Sequence, residues 1–247
     1  MNATERNDSP APLRHRGPNL VLLASVYALL FLTGIALPAA TGAAHMPSPF
    51  EPAEISARYF VGQASAARVA AFFTFGSAIP FGIFAASATS RVQFLGIKAV
   101  AGLNIALFGG FAASVLLVVS AFIQWCLAQT RGDLTPGVIH TFHFLQFACG
   151  GPGYVVPFGL FVAGISLTSG IQGFAPRWLM FAGLGIAALA ELSSLVLLVP
   201  QATIVLPIVR FGGFAWMLAT AALLPKARGV VANRGTAAAP FHDALQT

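Results

Sequence analysis

The sequence is poor in charge. Of its 247 residues only 8% are Asp, Glu, Lys or Arg, against roughly 25% in an ordinary soluble domain. Acidic residues are the scarcest, seven against thirteen Lys and Arg. With 57% apolar residues and a mean hydropathy of +0.82, there is too little polar surface to cover a water-soluble globule. The same hydrophobicity excludes an intrinsically disordered chain. Two cysteines are too few for a disulfide-stapled secreted scaffold. A Walker loop, a Rossmann glycine fingerprint, H-E-x-x-H, G-x-S-x-G and C-x-x-C are all missing. Nothing marks a nucleophile with its base, so an enzyme ranks below a binding, transport or interaction protein.

What the sequence has is long apolar runs. A spanning helix needs about 20 mostly apolar residues, and six stretches qualify: residues 19–38, 68–87, 97–125, 138–167, 178–199 and 203–224. The fold class expected is therefore all-α, a polytopic transmembrane bundle of six spans over residues 18–225. Residues 1–17 and 226–247, polar and rich in Pro and Ala, read as poorly ordered cytoplasmic tails. The first run, followed by small residues at 39–44, resembles a cleavable signal. It exceeds the ~7–15 residues of such a segment and reads better as a first span.

The basic residues lie in short clusters between the runs, with no basic face for a nucleic acid. With the N-terminus inside, Arg6, Arg14, Arg16, Arg91, Lys98, Arg177, Lys226, Arg228 and Arg234 fall on one side. Arg58, Arg68 and Arg131 fall on the other, with Arg210 near it. The positive-inside bias then puts both termini in the cytoplasm of a bacterial inner membrane. The loop 39–67 becomes external. Its Ser48-Pro49-Phe50-Glu51-Pro52 reads as a helix start, opening a short interfacial helix with Ile55, Tyr59 and Phe60 on one face.

The fourth run is interrupted by Cys149-Gly150-Gly151-Pro152-Gly153. Proline lacks the backbone donor and clashes with the preceding turn, so a helix over 134–149, a break, and a second helix over 152–167 are expected. Broken helices frame substrate sites in some transporters; a plain kink tolerated by neighbouring helices is the simpler reading. Gly102, Gly109, Gly110, Ala112 and Ala113 in the third run let a neighbour approach closely.

Polar residues inside the runs are the candidate site. Glu191 and Arg210 stand at similar depth, roughly 14 Å from the hairpin tip at about 1.5 Å per residue, and can pair. Such a pair neutralises two costly charges or forms a proton or substrate site. His140 and His143 share one helix face, with Thr141 and Gln146 nearby. A small molecule or lipid headgroup is one expected ligand, in an outward-facing pocket near Arg68, His140, His143, Glu191 and Arg210. The alternative is a metal or haem held by His140 and His143, although a zinc site needs a third ligand, with Glu191, Asp133 or His45 as candidates. A third reading is contact with a membrane partner or a second copy through the Gly/Ala faces and the external loop. Cys126 and Cys149 lie towards the outer half, where a disulfide can form, but at mismatched depths that argue against one. Trp125, Trp178, Trp216 and Tyr59 read as interface anchors.

Ala175-Pro176-Arg177-Trp178-Leu179 followed by Gly183 and Gly185, and Leu206-Pro207-Ile208, carry a resemblance. With the layout of a basic tail, one span, an external helix-bearing loop and five more spans, the chain from 12 to 226 resembles an uncharacterised bacterial family of six-span integral membrane proteins. The resemblance implies the fold and supplies no activity.

Overall fold

A computed structural model describes residues 13–97, 101–130 and 132–228. Eight α-helices follow in order: α1 Leu20–Ala40, α2 Ala53–Gly62, α3 Ala64–Phe94, α4 Ala101–Leu127, α5 Pro136–Gly150, α6 Pro152–Ile171, α7 Arg177–Leu192 and α8 Val205–Leu223. Six helical columns are long and apolar enough to cross a membrane, counting α5 with α6 as one, Pro136–Ile171. The 3-10 turns Ser193–Leu197 and Pro200–Ile204 extend α7 and α8 at their shared hairpin. The all-α bundle and its six spans agree with the sequence reading. At about 1.5 Å per residue, α3, with 31 residues, is roughly 46 Å long and outruns the ~30 Å hydrocarbon core of a bilayer.

The columns close into a ring: α1 packs on α3, α3 on α4, α4 on α6, α6 on α7, α7 on α8, and α8 returns to α1. Its centre is aromatic, with Tyr27, Phe81, Tyr154, Phe158 and Phe161 almost fully buried. Small residues bring α4 and α6 together. A Cβ on Gly109 would lie 2.5 Å from the Pro157 carbonyl oxygen, so only glycine permits this approach.

Two expectations change, and the cysteines agree with theirs. In α2, Ser56, Tyr59 and Phe60 face inward while Ile55 is exposed, so the inward stripe is shifted from the one read in the sequence. The helix packs on α5, and Phe60, Tyr59 and Ile139 share a small core with Leu127. Of the four expected anchors Trp125 and Trp178 are exposed, but Tyr59 is buried, and Trp216 is buried and donates its indole N–H to the Leu179 carbonyl at 3.3 Å. Cys126 and Cys149 are both free thiols.

The termini also differ from plain tails. Arg14 pairs with Ala227 in an isolated antiparallel bridge, and the His15 amide donates to the Lys226 carbonyl at 2.9 Å. Residues 13–17 and 226–228 are thus ordered against each other; the rest of both expected tails, 1–12 and 229–247, lies outside the described residues.

Candidate functional site

The break between α5 and α6 falls where the sequence places it. At Gly151 the backbone leaves the helical region (φ −89°, ψ −107°). A helix that stops leaves its last carbonyls without partners, and Pro152 has no N–H to offer. Other elements supply the donors. The Ser120 hydroxyl of α4 donates to the Gln146 carbonyl at 2.9 Å, and the Arg210 guanidinium of α8 donates to the Gly150 carbonyl. A Cβ on Gly151 would sit 2.7 Å from the Phe147 carbonyl oxygen, so the local geometry needs glycine.

Beside the break lies an open cavity of about 550 Å³, within the roughly 300–1,000 Å³ usual for ligand sites. One face of α5 lines it with His143, Gln146, Phe147 and Gly150, an i, i+3, i+4, i+7 stripe. From α4 come Leu117, Ser120 and Gln124, and from α3 Ala70 and Thr74. Phe31, Gly34, Ile35, Pro38 and Ala39 form the α1 wall, and Leu206, Pro207, Arg210 and Phe211 the α8 wall. The chain between α1 and α2 contributes Ala43 to Pro47 and Pro49.

The polar groups form a ladder. His143, buried, shares a hydrogen bond between Nδ1 and the Ser56 hydroxyl at 3.0 Å, and its ring meets Phe60 edge-on at 5.2 Å. Gln146 donates its amide to the Gln124 side-chain oxygen at 3.4 Å, and Gln124 donates to the Ala67 carbonyl at 3.3 Å. Arg210 completes the set. Its guanidinium lies 4.6 Å from the ring centre of Phe31 and 4.7 Å from that of Tyr154, a cation–π sandwich worth roughly 0.5–2 kcal/mol per ring. Below it the Tyr27 and Tyr154 hydroxyls hydrogen-bond at 2.5 Å.

Arg210 does not pair with Glu191. Glu191 is exposed, and Arg210 turns to the cavity. Equal depth on neighbouring helices does not set which way each side chain faces, and that is where the sequence reading fails. No Asp or Glu lines the cavity among the described residues, and the buried Arg210 Nε has no hydrogen-bond partner.

Of the five expected site residues, His143 and Arg210 line the cavity; Arg68, exposed, and Glu191 do not. His140 serves the roof: its Nε2–H donates to the Pro49 carbonyl at 2.7 Å. Among the described residues no third His, Cys, Asp or Glu joins the two histidines into a metal-binding group, and both rings are engaged in holding neighbouring segments. The sequence reading missed Gln124, Ser120 and Thr74 as lining residues, and took His45, which also lines the cavity, only as a possible metal ligand. Gln124 and Ser120 were visible as polar residues in an otherwise apolar run. Tyr59, at the roof, is buried, and burial raises its phenol pKa above the ordinary value. Compared with protein-family models, curated proteins and solved structures, the chain matches none.

Proposed function

We propose that this chain is a membrane-embedded binding protein whose cavity holds an anion with an apolar body, Arg210 being the counter-charge. One observation carries the reading: a guanidinium set in a largely apolar cavity, with no acid among the described lining residues and with Nε unpartnered. Placing Arg at the centre of a span costs roughly 2.5–3.5 kcal/mol on insertion scales. The Gly150 carbonyl and two aromatic faces offset part of that cost but bring no negative charge. A carboxylate or phosphate oxygen beside the guanidinium supplies it, in a charge-assisted hydrogen bond. Phe31, Ile35, Leu206 and Phe211 suit an apolar body. The excess of Lys and Arg on the side of both termini supports a bacterial inner membrane with that end cytoplasmic and the cavity towards the outside.

The test is calorimetric titration of protein in lipid nanodiscs with laurate, dodecyl phosphate, dodecyltrimethylammonium and dodecyl maltoside. The two anions are expected to bind saturably at one site, and the cation and the uncharged maltoside are not. Arg210→Gln should weaken the anions at least tenfold and Arg210→Lys less, with thermal unfolding reporting whether each variant is folded. Equal binding of cation and anion, or full affinity in a folded Arg210→Gln protein, would refute the proposal.

A further inference from the structure

The cavity has a roof and an open side. The roof is the chain between α1 and α2, tied to α5 at two points and braced by a turn of its own. His140 holds the Pro49 carbonyl at 2.7 Å. Phe50 packs edge-on against Phe144 and Phe147, with centroids 5.5 Å away in each case. The Ser48 amide donates to the Glu51 carboxylate at 2.9 Å, closing the turn that starts α2. Pro49 is buried beneath this cover.

Ala44 and His45 of the roof are exposed, but the segment that carries them is held to α5; the side between α1 and α8 has no such cover. The two helices meet through Tyr27 and Phe31 against Phe214, with ring centroids 5.0 and 5.6 Å apart. One helical turn further towards the roof, the residues that line the cavity are exposed at its edge: Ile35 by 54% and Phe211 by 49%. Ala39 and Pro207, also in the lining, are exposed with them. The outer faces flanking this seam, Leu32 and Ile208, are apolar and exposed. Both α1 and α8 belong to columns apolar enough to cross a membrane, so the seam faces lipid while the roof faces the aqueous side.

From this geometry we infer that the ligand reaches Arg210 sideways from the bilayer, between α1 and α8, and is a single-chain lipid with a small anionic head, a carboxylate or a phosphate monoester. The inference rests on the anion-binding reading above. The head lies against Arg210 and the Gln124–Gln146 pair, and the chain leaves past Ile35 and Phe211 into the membrane. A two-chain zwitterionic phospholipid fits less well, because its ammonium would have no acid to meet in the cavity among the described residues.

The experiment uses the full chain in lipid vesicles with palmitate carrying a photoreactive diazirine in mid-chain, and maps the cross-linked residues by peptide mass spectrometry. Labelling is expected to concentrate on Leu32, Ile35 and Ala39 of α1 and on Pro207, Ile208 and Phe211 of α8. Excess unlabelled palmitate or dodecyl phosphate should remove it, as should Arg210→Gln. The exposed pair Ile35→Trp and Phe211→Trp should cut it at least fivefold, whereas Phe108→Trp, on the exposed face of α4 and outside the cavity, should not. Saturable, Arg210-dependent labelling of residues 43–47 instead would place the route through the roof; it would overturn the lateral route and leave anion binding standing. Labelling spread evenly over lipid-facing positions such as Phe108 and Phe111, insensitive to competitor and to Arg210→Gln, would overturn both. Arg210→Lys, which keeps the charge, should retain seam labelling and so separates loss of the cation from loss of fold.

Discussion

Arg210 has two tasks that pull in one direction. It caps the carbonyl that the Gly151 break leaves open, and it carries the positive charge of the cavity. The tyrosine pair beside it is structural in the plainest sense: two buried hydroxyls satisfy each other. Tyr27→Phe leaves the Tyr154 hydroxyl without this partner, and intramembrane hydrogen bonds of this kind are worth about 0.6–1.7 kcal/mol. A lowered Tm is expected, with the Tyr27→Phe/Tyr154→Phe double variant losing less than the sum of the two single changes. Additive losses would show that the hydroxyls do not depend on each other. At the other end of the bundle, His15 shares a hydrogen bond with Ser90 at 3.3 Å and packs on Phe94. Burial, and then the nearby Arg91 charge, lower its pKa below the usual 6.5. The docked state therefore binds the proton less readily than the undocked one. Docking is at full strength above the usual value and weakens as the pH falls through it towards the lowered one. Amide exchange of residues 15–17, corrected for intrinsic rates, should accelerate between pH 7.5 and 5.5 in the wild type but not in His15→Gln. Unchanged protection in the wild type would refute this.

At the scale of the helix, composition and punctuation made most of the fold legible. Apolar length gave the six columns, and Gly150-Gly151-Pro152 gave the break to within a residue or two. Helix azimuth was not legible. A span in lipid is apolar on every side, so the periodicity that orients a soluble helix is faint. That is why the sequence sets Glu191 against Arg210 and Trp216 at the interface. The cavity could not be seen either, since it arises where a broken helix and a folded-back loop leave space between columns. Small residues did point correctly to contact. Gly109→Leu should force α4 from α6, because its side chain would run into the Pro157 backbone. Overpacking of this sort costs about 1–3 kcal/mol, or more where the obstacle is backbone. A Tm unchanged in Gly109→Leu would contradict the close approach.

For the whole molecule, an even number of spans puts the segments before α1 and after α8 on one side, and there residues 13–15 meet 226–228. Arg228 lies over the Phe94 ring at 5.1 Å and donates to the Phe94 carbonyl, while its amide donates to the Leu13 carbonyl at 3.1 Å. Cysteines placed singly at Leu13, Ser48 and Gly173 in a Cys126→Ser/Cys149→Ser background should therefore sort by side. Impermeant maleimide added to intact cells should label only position 48. Labelling at 13 or 173 would invert or break the topology. The central claim, that the cavity is built for an amphiphilic anion, is tested most directly by native mass spectrometry of the protein released from its own membrane. The wild type should retain a one-to-one adduct whose mass belongs to a single-chain anionic lipid, and folded Arg210→Gln prepared alongside should not. Identical adduct patterns in the two proteins, or adducts only of zwitterionic phospholipid, would contradict the claim.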